Sequence, residues 1–303
     1  MNTDISAAID LGTNSARLLI ATGGSAGGME ILVLKRVITR LGGGFSRERG
    51  ISPAARDRTL SALRDFAREM RKSGVSHTRA VATSAVRDAV NGMEFVERVY
   101  AETGIRLEII DGREEALLTL KGVVSGLGIS GDSLVFDIGG GSTEYTFARG
   151  KTPLFTRSLP LGVVRLTEGK GSIEAMDEKV RRELNTLMAE VEKSGFGSFP
   201  ARATLIGTAG TATTLAAMDL KLAHFDRRQV HGHVLGLSKV RELFETVRSL
   251  TAEERLQIPG IEKGREDLVV AGFLITLRTM ESFGFDRFTV SDAGLLEGLL
   301  TAC

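Results

Sequence analysis

The chain contains one cysteine, and that residue, Cys303, is the last of its 303 residues. A single thiol excludes an intramolecular disulfide and any metal site built from several cysteines. The N-terminus also has no basic segment followed by an apolar stretch and a small-residue cleavage site, so we expect no secretory leader. These absences lead us to expect a protein of the reducing cytoplasm.

Long apolar runs and an excess of charge of one sign are missing as well. No stretch reaches the roughly 18 consecutive apolar residues that span a bilayer, so we expect no membrane segment. Lys and Arg number 39 against 38 Asp and Glu, a formal net charge of +1, and no overall basic field points to nucleic acid. With 42% hydrophobic and 25% charged residues, the composition is that of a water-soluble globular chain long enough for two domains.

What the chain does contain is a repeated turn. The motif Asp10-Leu-Gly-Thr-Asn-Ser15 follows the apolar segment 5–9, and Asp137-Ile-Gly-Gly-Gly-Ser142 follows the apolar segment 133–136. Each pattern predicts a short buried strand that runs into a sharp turn, where glycine tolerates left-handed backbone. Successive N–H groups in such turns bind anions, and neighbouring hydroxyl groups add donors.

The carboxylate at each predicted strand end indicates a cation. Asp10 and Asp137 would repel a phosphate unless a cation lay between them. Mg²⁺ suits this arrangement because it keeps several waters and takes few carboxylates. An ordinary tight hairpin, with Asp and Gly chosen for turn geometry, is the alternative for one copy. Two copies favour a duplicated site for phosphate and metal.

The predicted secondary structure repeats in the two halves of the chain. The first half has predicted strands at 5–9, 17–22, 30–39, 78–82 and 107–110, and predicted helices at 53–71, 93–102 and 114–124. The second half has predicted strands at 133–136, 144–148, 154–158 and 203–206, and predicted helices at 173–193 and 211–218. This repetition predicts two related α/β domains around a cleft, residues 1–124 and 125–303. Two last helices, 266–283 and 293–302, extend the second domain or pack back toward the first.

Three further stretches carry candidate chemistry. Gly207-Thr-Ala-Gly-Thr-Ala-Thr213 offers a third turn rich in N–H and hydroxyl groups, or else an ordinary connection capped by threonine. In Gly112-Arg-Glu-Glu-Ala116 the glutamates either serve the helix dipole or supply one cleft-facing general base for an attacking water. Arg87 follows a predicted strand end and is either a surface residue or a bidentate ligand for terminal phosphate oxygens. His231 and His233 lack a nearby third metal ligand, so a metal site there is disfavoured.

Seven motifs occur in an order that resembles one known family. The motifs are Ala8-Ile-Asp-Leu-Gly-Thr-Asn-Ser15, Ala82-Thr-Ser-Ala-Val-Arg87, Gly112-Arg-Glu-Glu-Ala116, Val135-Phe-Asp-Ile-Gly-Gly-Gly-Ser-Thr-Glu144, Leu159-Pro-Leu-Gly-Val-Val-Arg-Leu-Thr167, Gly207-Thr-Ala-Gly-Thr-Ala-Thr213 and Arg265-Glu-Asp267. Together they cover nearly the whole chain and resemble the exopolyphosphatase / guanosine pentaphosphate phosphohydrolase family. One departure is Leu296, where the family often has arginine.

The resemblance implies two ribonuclease-H-like domains of the actin-like ATPase superfamily flanking a central cleft. It implies release of the terminal phosphate of inorganic polyphosphate or of the 5′ phosphate of guanosine pentaphosphate. Carried over by motif position, Glu115 is the base for water, Arg87 grips the phosphate chain, and Asp10, Asp137 and Glu144 hold Mg²⁺ or position water. The implied phosphate-binding residues are Gly12, Thr13, Asn14, Ser15, Gly139, Gly140, Gly141, Ser142, Thr143, Gly207, Thr208, Gly210 and Arg265.

Two other functions fit the same fold. One is an ATP-using kinase or ATPase, and the other is a non-catalytic sensor of the alarmone nucleotide or of polyphosphate. The glutamate pair at 114–115 favours attack by water over transfer to an acceptor, and the complete acidic set favours catalysis over binding alone. A homodimer is common for this fold, but these residues do not decide it.

Overall fold

The computed structural model describes residues 4–23, 29–44 and 49–301, and the chain divides into two compact units. The first unit comprises Met1–Gly122 together with Leu295–Cys303, and the second is Val123–Gly294. Each unit contains one mixed β-sheet with helices packed on it, so the predicted α/β fold class is confirmed. The sequence predicts a glycine-rich turn at 23–28, and residues 24–28 of that turn lie outside the described residues, as does Cys303.

The sheet of the first unit has five strands in the order β3-β2-β1-β4-β5. Its strands are β1 (Ile5–Leu11), β2 (Ser15–Thr22), β3 (Glu30–Ile38), β4 (His77–Ala82) and β5 (Leu107–Ile109). Its helices are α1 (Pro53–Lys72), α2 (Ser84–Arg87), α3 (Gly92–Thr103), α4 (Gly112–Leu127, whose C-terminal turn belongs to the second unit) and α12 (Leu295–Leu300). β1 pairs antiparallel with β2 and parallel with β4, so β1 is the central strand.

Helix α1 shows how the sequence sets an element. Pro53 occupies the first turn, where its missing N–H is not needed, and the Ser52 hydroxyl accepts from the Ala55 N–H at 3.3 Å. Leu60, Leu63 and Phe66 recur at helical spacing and pack into the apolar cluster on one face of the sheet.

The C-terminal helix α12 belongs to the first unit, whereas the predicted domain 125–303 assigned it to the second. Leu295, Leu296 and Leu299 pack in an apolar cluster with Ala8 and Leu19. Side chains alternate along a strand, so this cluster covers the opposite face of the sheet from α1. The apolar side of α12 is buried there, and Leu296 is an interior residue of this chain.

The sheet of the second unit has six strands in the order β10-β11-β9-β6-β7-β8. Its strands are β6 (Asp132–Ile138), β7 (Thr143–Arg149), β8 (Thr152–Leu159), β9 (Thr204–Thr208), β10 (Val234–Gly236) and β11 (Arg287–Val290). Its helices are α5 (Val163–Gly169), α6 (Ile173–Lys193), α7 (Ala209–Asp219), α8 (Arg227–Val230), α9 (Leu237–Arg248), α10 (Ala252–Arg255) and α11 (Val269–Phe283), with a 3₁₀ turn at Pro200–Arg202. No helix in the described ranges is both long and apolar enough to cross a membrane.

Strands β6 to β9 repeat the pairing of β1 to β4. β6 is antiparallel to β7 and parallel to β9, just as β1 is antiparallel to β2 and parallel to β4. The sequence analysis missed β10, β11 and α9, which extend the second unit beyond the repeat. β10 and β11 have three and four residues, too few to show a clear alternation of apolar and polar positions.

Candidate active site

The two repeated motifs form two hairpin turns with the same backbone hydrogen bond. In the first hairpin turn, residues 12–15, the Gly12 N–H donates to the Ser15 carbonyl at 3.0 Å. In the second hairpin turn, residues 139–142, the Gly139 N–H donates to the Ser142 carbonyl at 2.9 Å. Both turns join antiparallel strands, and both follow a strand-end aspartate by two residues.

The residue opposite the aspartate differs between the two hairpins. Asp10 lies opposite Arg17, whose Nε donates to Asp10 Oδ2 at 2.8 Å. Asp137 lies opposite Glu144. Arg17 was not predicted as a site residue, although its position two residues after Ser15 matches that of Glu144 after Ser142. The first hairpin thus supplies its own cation for the aspartate, and the second places two carboxylates side by side.

Asp137 and Glu144 are better candidate metal ligands than Asp10, which is paired with Arg17. Both are buried, and directly opposed residues of an antiparallel pair have Cβ atoms about 4.5–5.5 Å apart. The Ser158 hydroxyl donates to Glu144 Oε1 at 2.7 Å and orients that carboxylate. Within the described ranges, no group of three or more His, Cys, Asp or Glu could hold a metal ion. A pair of carboxylates fits Mg²⁺, which fills its remaining positions with water and substrate oxygens.

The structure places Arg87 beside Glu115 in the first unit. Arg87 ends α2, and one of its guanidinium nitrogens donates to the Ile110 carbonyl at 2.8 Å and lies 3.8 Å from Glu115 Oε2. Glu115 is almost wholly buried, whereas Glu114 is only partly buried and accepts from Arg79 at 3.1 Å. The two adjacent glutamates of α4 therefore have different environments, and only Glu115 lies beside Arg87.

Contacts from a distant segment hold the first hairpin turn. The Asn14 carbonyl accepts from the N–H groups of Thr39 and Arg40 at 3.0 and 2.9 Å, and the Thr13 carbonyl accepts from Gly42 at 2.9 Å. The hydroxyl groups of Thr13 and Ser84 are hydrogen-bonded at 2.8 Å in a buried position. The turn is thus tied both to the 39–42 segment and to α2. Residue 39 was predicted only as the end of a strand, and no site role was predicted for residues 39–42.

Helix α5 holds the second hairpin turn in a similar way. The Gly139 carbonyl accepts from the Val163 N–H at 3.0 Å, and the Gly140 carbonyl accepts from Val164 at 2.9 Å. A Cβ on Gly162 would lie 2.3 Å from the Gly140 oxygen, so only glycine allows this approach. The Thr143 hydroxyl donates to the Leu161 carbonyl. Thr143, predicted to bind phosphate, uses its hydroxyl to support the turn.

In the third predicted turn, residues 207–213, the first two residues have a structural role. Gly207 is packed between the Phe136 and Phe288 rings, and the Thr208 hydroxyl donates to the Ala293 carbonyl at 3.1 Å. Both were predicted to contact phosphate, and in the structure they support the interior of the second unit. The reason is that each lies within β9, whose side chains are buried on both faces.

Gly210 and Arg265 are brought together at the first turn of α7. A Cβ on Gly210 would lie 1.7 Å from a guanidinium nitrogen of Arg265, so glycine makes room for the arginine. Arg265 also lies 3.4 Å from Glu262. Ala209, the first residue of α7, has a positive φ of 62°, which is uncommon outside glycine. A guanidinium at a helix N-terminus makes a position where an anion is favoured by both the cation and the helix dipole.

The packing of Gly207 predicts a large effect of a small substitution. Gly207→Ala is expected to lower the free energy of unfolding by about 1–3 kcal/mol, because its Cβ would lie 2.6 Å from Phe136 Cζ. Denaturant unfolding followed by circular dichroism measures the change. Gly171→Ala is the matched control, since a Cβ there would meet nothing within 4 Å. An equal loss in both variants would contradict the packing role.

Comparisons with known proteins agree with the motifs. The chain is 32% identical to exopolyphosphatase 2 of Mycobacterium tuberculosis over 311 residues, covering 97% of this chain and 96% of that protein. It is 30% identical to the bifunctional 3-dehydroquinate synthase/phosphatase of Fusobacterium nucleatum, of which the alignment spans only 46%.

Solved structures show the same similarity in three dimensions. The PPX-GPPA enzyme of Aquifex aeolicus is 34% identical, with a TM-score of 0.81 and 99% of each chain covered. An exopolyphosphatase from Cytophaga hutchinsonii is 28% identical, with a TM-score of 0.87, covering 97% of this chain and 96% of that one. The model of the Ppx/GppA phosphatase family matches residues 20–302, which include α2, α4, the second hairpin turn and α7. The chain therefore belongs to the Ppx/GppA phosphatase family and is a hydrolase of that family.

Proposed function

We propose that this protein releases the terminal phosphate of inorganic polyphosphate, or the 5′ phosphate of guanosine pentaphosphate, with the help of Mg²⁺. The observation that carries the proposal is the pairing of a nearly buried carboxylate, Glu115, with a guanidinium, Arg87, whose nitrogen lies 3.8 Å away. Relatives similar over nearly their whole length are named exopolyphosphatases, which supports polyphosphate as the substrate.

In the proposed reaction, Glu115 accepts a proton from the water that attacks the terminal phosphorus. A bond forms between the water oxygen and phosphorus, and the anhydride bond to the rest of the chain breaks. Inorganic phosphate leaves, and the remaining chain is one phosphate shorter. Phosphoryl transfer depends mainly on positioning the reactants and on stabilising charge. One general base and one neighbouring cation can therefore catalyse it.

Arg87 has two tasks in this scheme. Its guanidinium binds oxygens of the terminal phosphate and offsets the negative charge that spreads over them in the transition state. Its hydrogen bond to the Ile110 carbonyl keeps the guanidinium in place beside Glu115.

Asp137 and Glu144 are the residues we propose for Mg²⁺. The ion would supply positive charge to the phosphate oxygens that it contacts. Asp10 is less suited, because Arg17 already neutralises it. The proposed metal ligands are therefore two of the three residues that the family resemblance implied, without Asp10.

Phosphate oxygens are proposed to bind backbone N–H groups within each unit. In the first unit these are groups of the first hairpin turn, and in the second unit they are groups of the second hairpin turn and of the N-terminal turn of α7 beside Arg265. The carbonyl groups of Thr13, Asn14, Gly139 and Gly140 are engaged by neighbouring segments. These hydrogen bonds hold the turns in place. Carbonyl oxygens that are engaged in this way do not face a bound anion. Thr143, Gly207 and Thr208 are not proposed to contact phosphate, because their groups serve internal contacts.

Phosphate release measured side by side on several substrates tests the proposal. The substrates are short polyphosphate, long polyphosphate, guanosine pentaphosphate and ATP, each with and without Mg²⁺. We expect Mg²⁺-dependent release from polyphosphate, guanosine pentaphosphate or both. Faster ADP production from ATP would instead indicate a kinase or ATPase, and tight nucleotide binding without turnover would indicate a sensor.

A further inference from the structure

The arginine at the first turn of α7 is carried by a segment made of turns. Arg265 lies in the α10–α11 segment, residues 256–268, which joins α10 to α11 in the second unit. Its guanidinium lies against Gly210. A guanidinium recognises phosphate through a planar fork of N–H groups, so both its position and its orientation matter. Contacts that fix the α10–α11 segment therefore bear on phosphate binding.

Arg255, the last residue of α10, holds this segment through its side chain. Its Nη1 group donates to the Glu266 carbonyl at 3.1 Å, and its Nε group donates to the Val247 carbonyl at 2.7 Å. Glu266 directly follows Arg265 in the chain. Val247 lies in the last turn of α9, where the helix dipole favours a cation. One partly buried guanidinium thus joins the end of α9 to the residue next to Arg265.

We propose that Arg255 is a positioning residue for the phosphate-binding guanidinium of Arg265. This role rests on the proposed function, in which phosphate binds at the first turn of α7. Consecutive Cα atoms are about 3.8 Å apart, so a hydrogen bond to Glu266 restrains the backbone of Arg265 closely. Both hydrogen bonds of Arg255 go to backbone carbonyls, so its guanidinium acts on the position of the main chain.

The backbone of Arg255 is itself held by the cap of α10. The Thr251 hydroxyl accepts from the Glu254 N–H at 3.2 Å, and Glu254 Oε2 accepts from the Thr251 N–H at 2.8 Å. This reciprocal cap satisfies two donors at the start of the helix. The Arg255 N–H donates to the Thr251 carbonyl at 3.0 Å. The guanidinium of Arg255 therefore extends from a fixed backbone, as a positioning group requires.

Two further contacts shape the α10–α11 segment without Arg255. The Glu266 carboxylate accepts from the Gly264 N–H, so the residues on either side of Arg265 are hydrogen-bonded to each other. Gly260 has a positive φ of 93°, and a Cβ there would lie 2.5 Å from the backbone of Ala217 in α7. These contacts pack the segment on α7, whereas Arg255 ties it to α9. Removal of the Arg255 guanidinium is therefore expected to shift Arg265 while the packing on α7 remains.

Steady-state kinetics with the substrate that wild type cleaves fastest tests this role. Arg255→Met keeps a long side chain but has no N–H donor, and it is expected to raise KM about 10- to 100-fold with a smaller change in kcat. Arg255→Lys keeps a cation and N–H donors without the planar fork, so its KM is expected to lie between those of wild type and Arg255→Met. Titration calorimetry with tripolyphosphate compares the same variants through the dissociation constant, so the test does not depend on turnover.

The matched control is Arg248→Met at the same end of α9. Arg248 is the last residue of that helix, and its guanidinium pairs with Glu245 at 3.2 Å. Arg248→Met removes one cation near Val247 without touching the α10–α11 segment, so it is expected to keep the wild-type KM. A rise in KM equal to that of Arg255→Met would show an effect of charge alone and would overturn the positioning role.

A double-mutant cycle separates positioning from a general loss of structure. Arg265→Ala is expected to raise KM at least as much as Arg255→Met, and adding Arg255→Met to Arg265→Ala is expected to cause no further rise. Equal rises caused by Arg255→Met in both backgrounds would overturn the positioning role. Circular dichroism shows whether each variant folds, and Arg255→Lys takes the place of Arg255→Met in the cycle if the latter does not.

The same measurements distinguish a failure of this role from a failure of the proposed function. A wild-type KM and dissociation constant for Arg265→Ala would overturn the phosphate site at α7, and the role of Arg255 with it. Weaker substrate binding by Arg265→Ala, together with wild-type binding by Arg255→Met, would overturn the role of Arg255 alone.

Discussion

Glu115→Gln is expected to slow phosphate release about 10²- to 10⁴-fold, the usual contribution of a general base. This corresponds to about 3–5 kcal/mol of transition-state stabilisation. Glutamine keeps the shape of the side chain but cannot accept the proton of the attacking water. Initial rates at saturating polyphosphate, together with a single-turnover measurement, isolate the chemical step. Substrate affinity is expected to change little, because the base acts on water and not on the phosphate chain.

The neighbouring glutamate supplies the control for this experiment. Glu114 lies on the same helix turn, but it is only partly buried and accepts a hydrogen bond from Arg79. Glu114→Gln is therefore expected to retain nearly the wild-type rate. If Glu115→Gln released phosphate at the wild-type rate, the proposed base would be wrong, whichever substrate the enzyme prefers.

Glu144→Gln is expected to weaken Mg²⁺ binding by at least about 10- to 100-fold, the effect of removing a supporting group at a metal site. The variant loses one of two adjacent carboxylates while keeping a side chain of the same size. Titration calorimetry with Mg²⁺, or paramagnetic resonance with Mn²⁺ in its place, measures binding directly without turnover. Phosphate release is expected to recover partly at high Mg²⁺ concentration.

Asp10 provides the contrast because it occupies the equivalent strand end in the other hairpin. Asp10→Asn is expected to leave Mg²⁺ affinity nearly unchanged, since Arg17 already pairs with Asp10. The variant is instead expected to be less stable, because the half-buried Arg17 guanidinium loses its ion pair with the Asp10 carboxylate. Equal losses of Mg²⁺ affinity in both variants would show that the metal site includes Asp10.

Elements set by residues close together in the chain could be predicted well from the sequence. Helix α1 was predicted at 53–71 and lies at Pro53–Lys72, because proline, the serine cap and the apolar spacing act within a few turns. No strand order was predicted from the sequence, and the short strands β10 and β11 were missed. Helix α12 could not be assigned from its sequence, since its apolar face would suit either unit.

The roles of individual glycines and threonines in the candidate site could not be predicted from the sequence. Gly210 and Gly207 stand three residues apart in one motif, yet one accommodates Arg265 and the other is packed between two phenylalanine rings. Thr143 and Ser142 are adjacent hydroxyl residues, and the Thr143 hydroxyl is committed to the Leu161 carbonyl. Residue type alone could not distinguish these roles, because the partners lie far away in the chain.

The sequence by itself determined the duplication of the Asp-x-Gly turn, the order of the seven motifs and hence the family. Through the family resemblance, it also named Glu115 as the candidate base. Tertiary structure decided that Glu115 is the one beside Arg87, and that Asp10 has an internal cation while Asp137 faces a second carboxylate. Motifs and turns depend on neighbours along the chain, whereas burial and charge pairing depend on strand register, which only the folded sheet establishes.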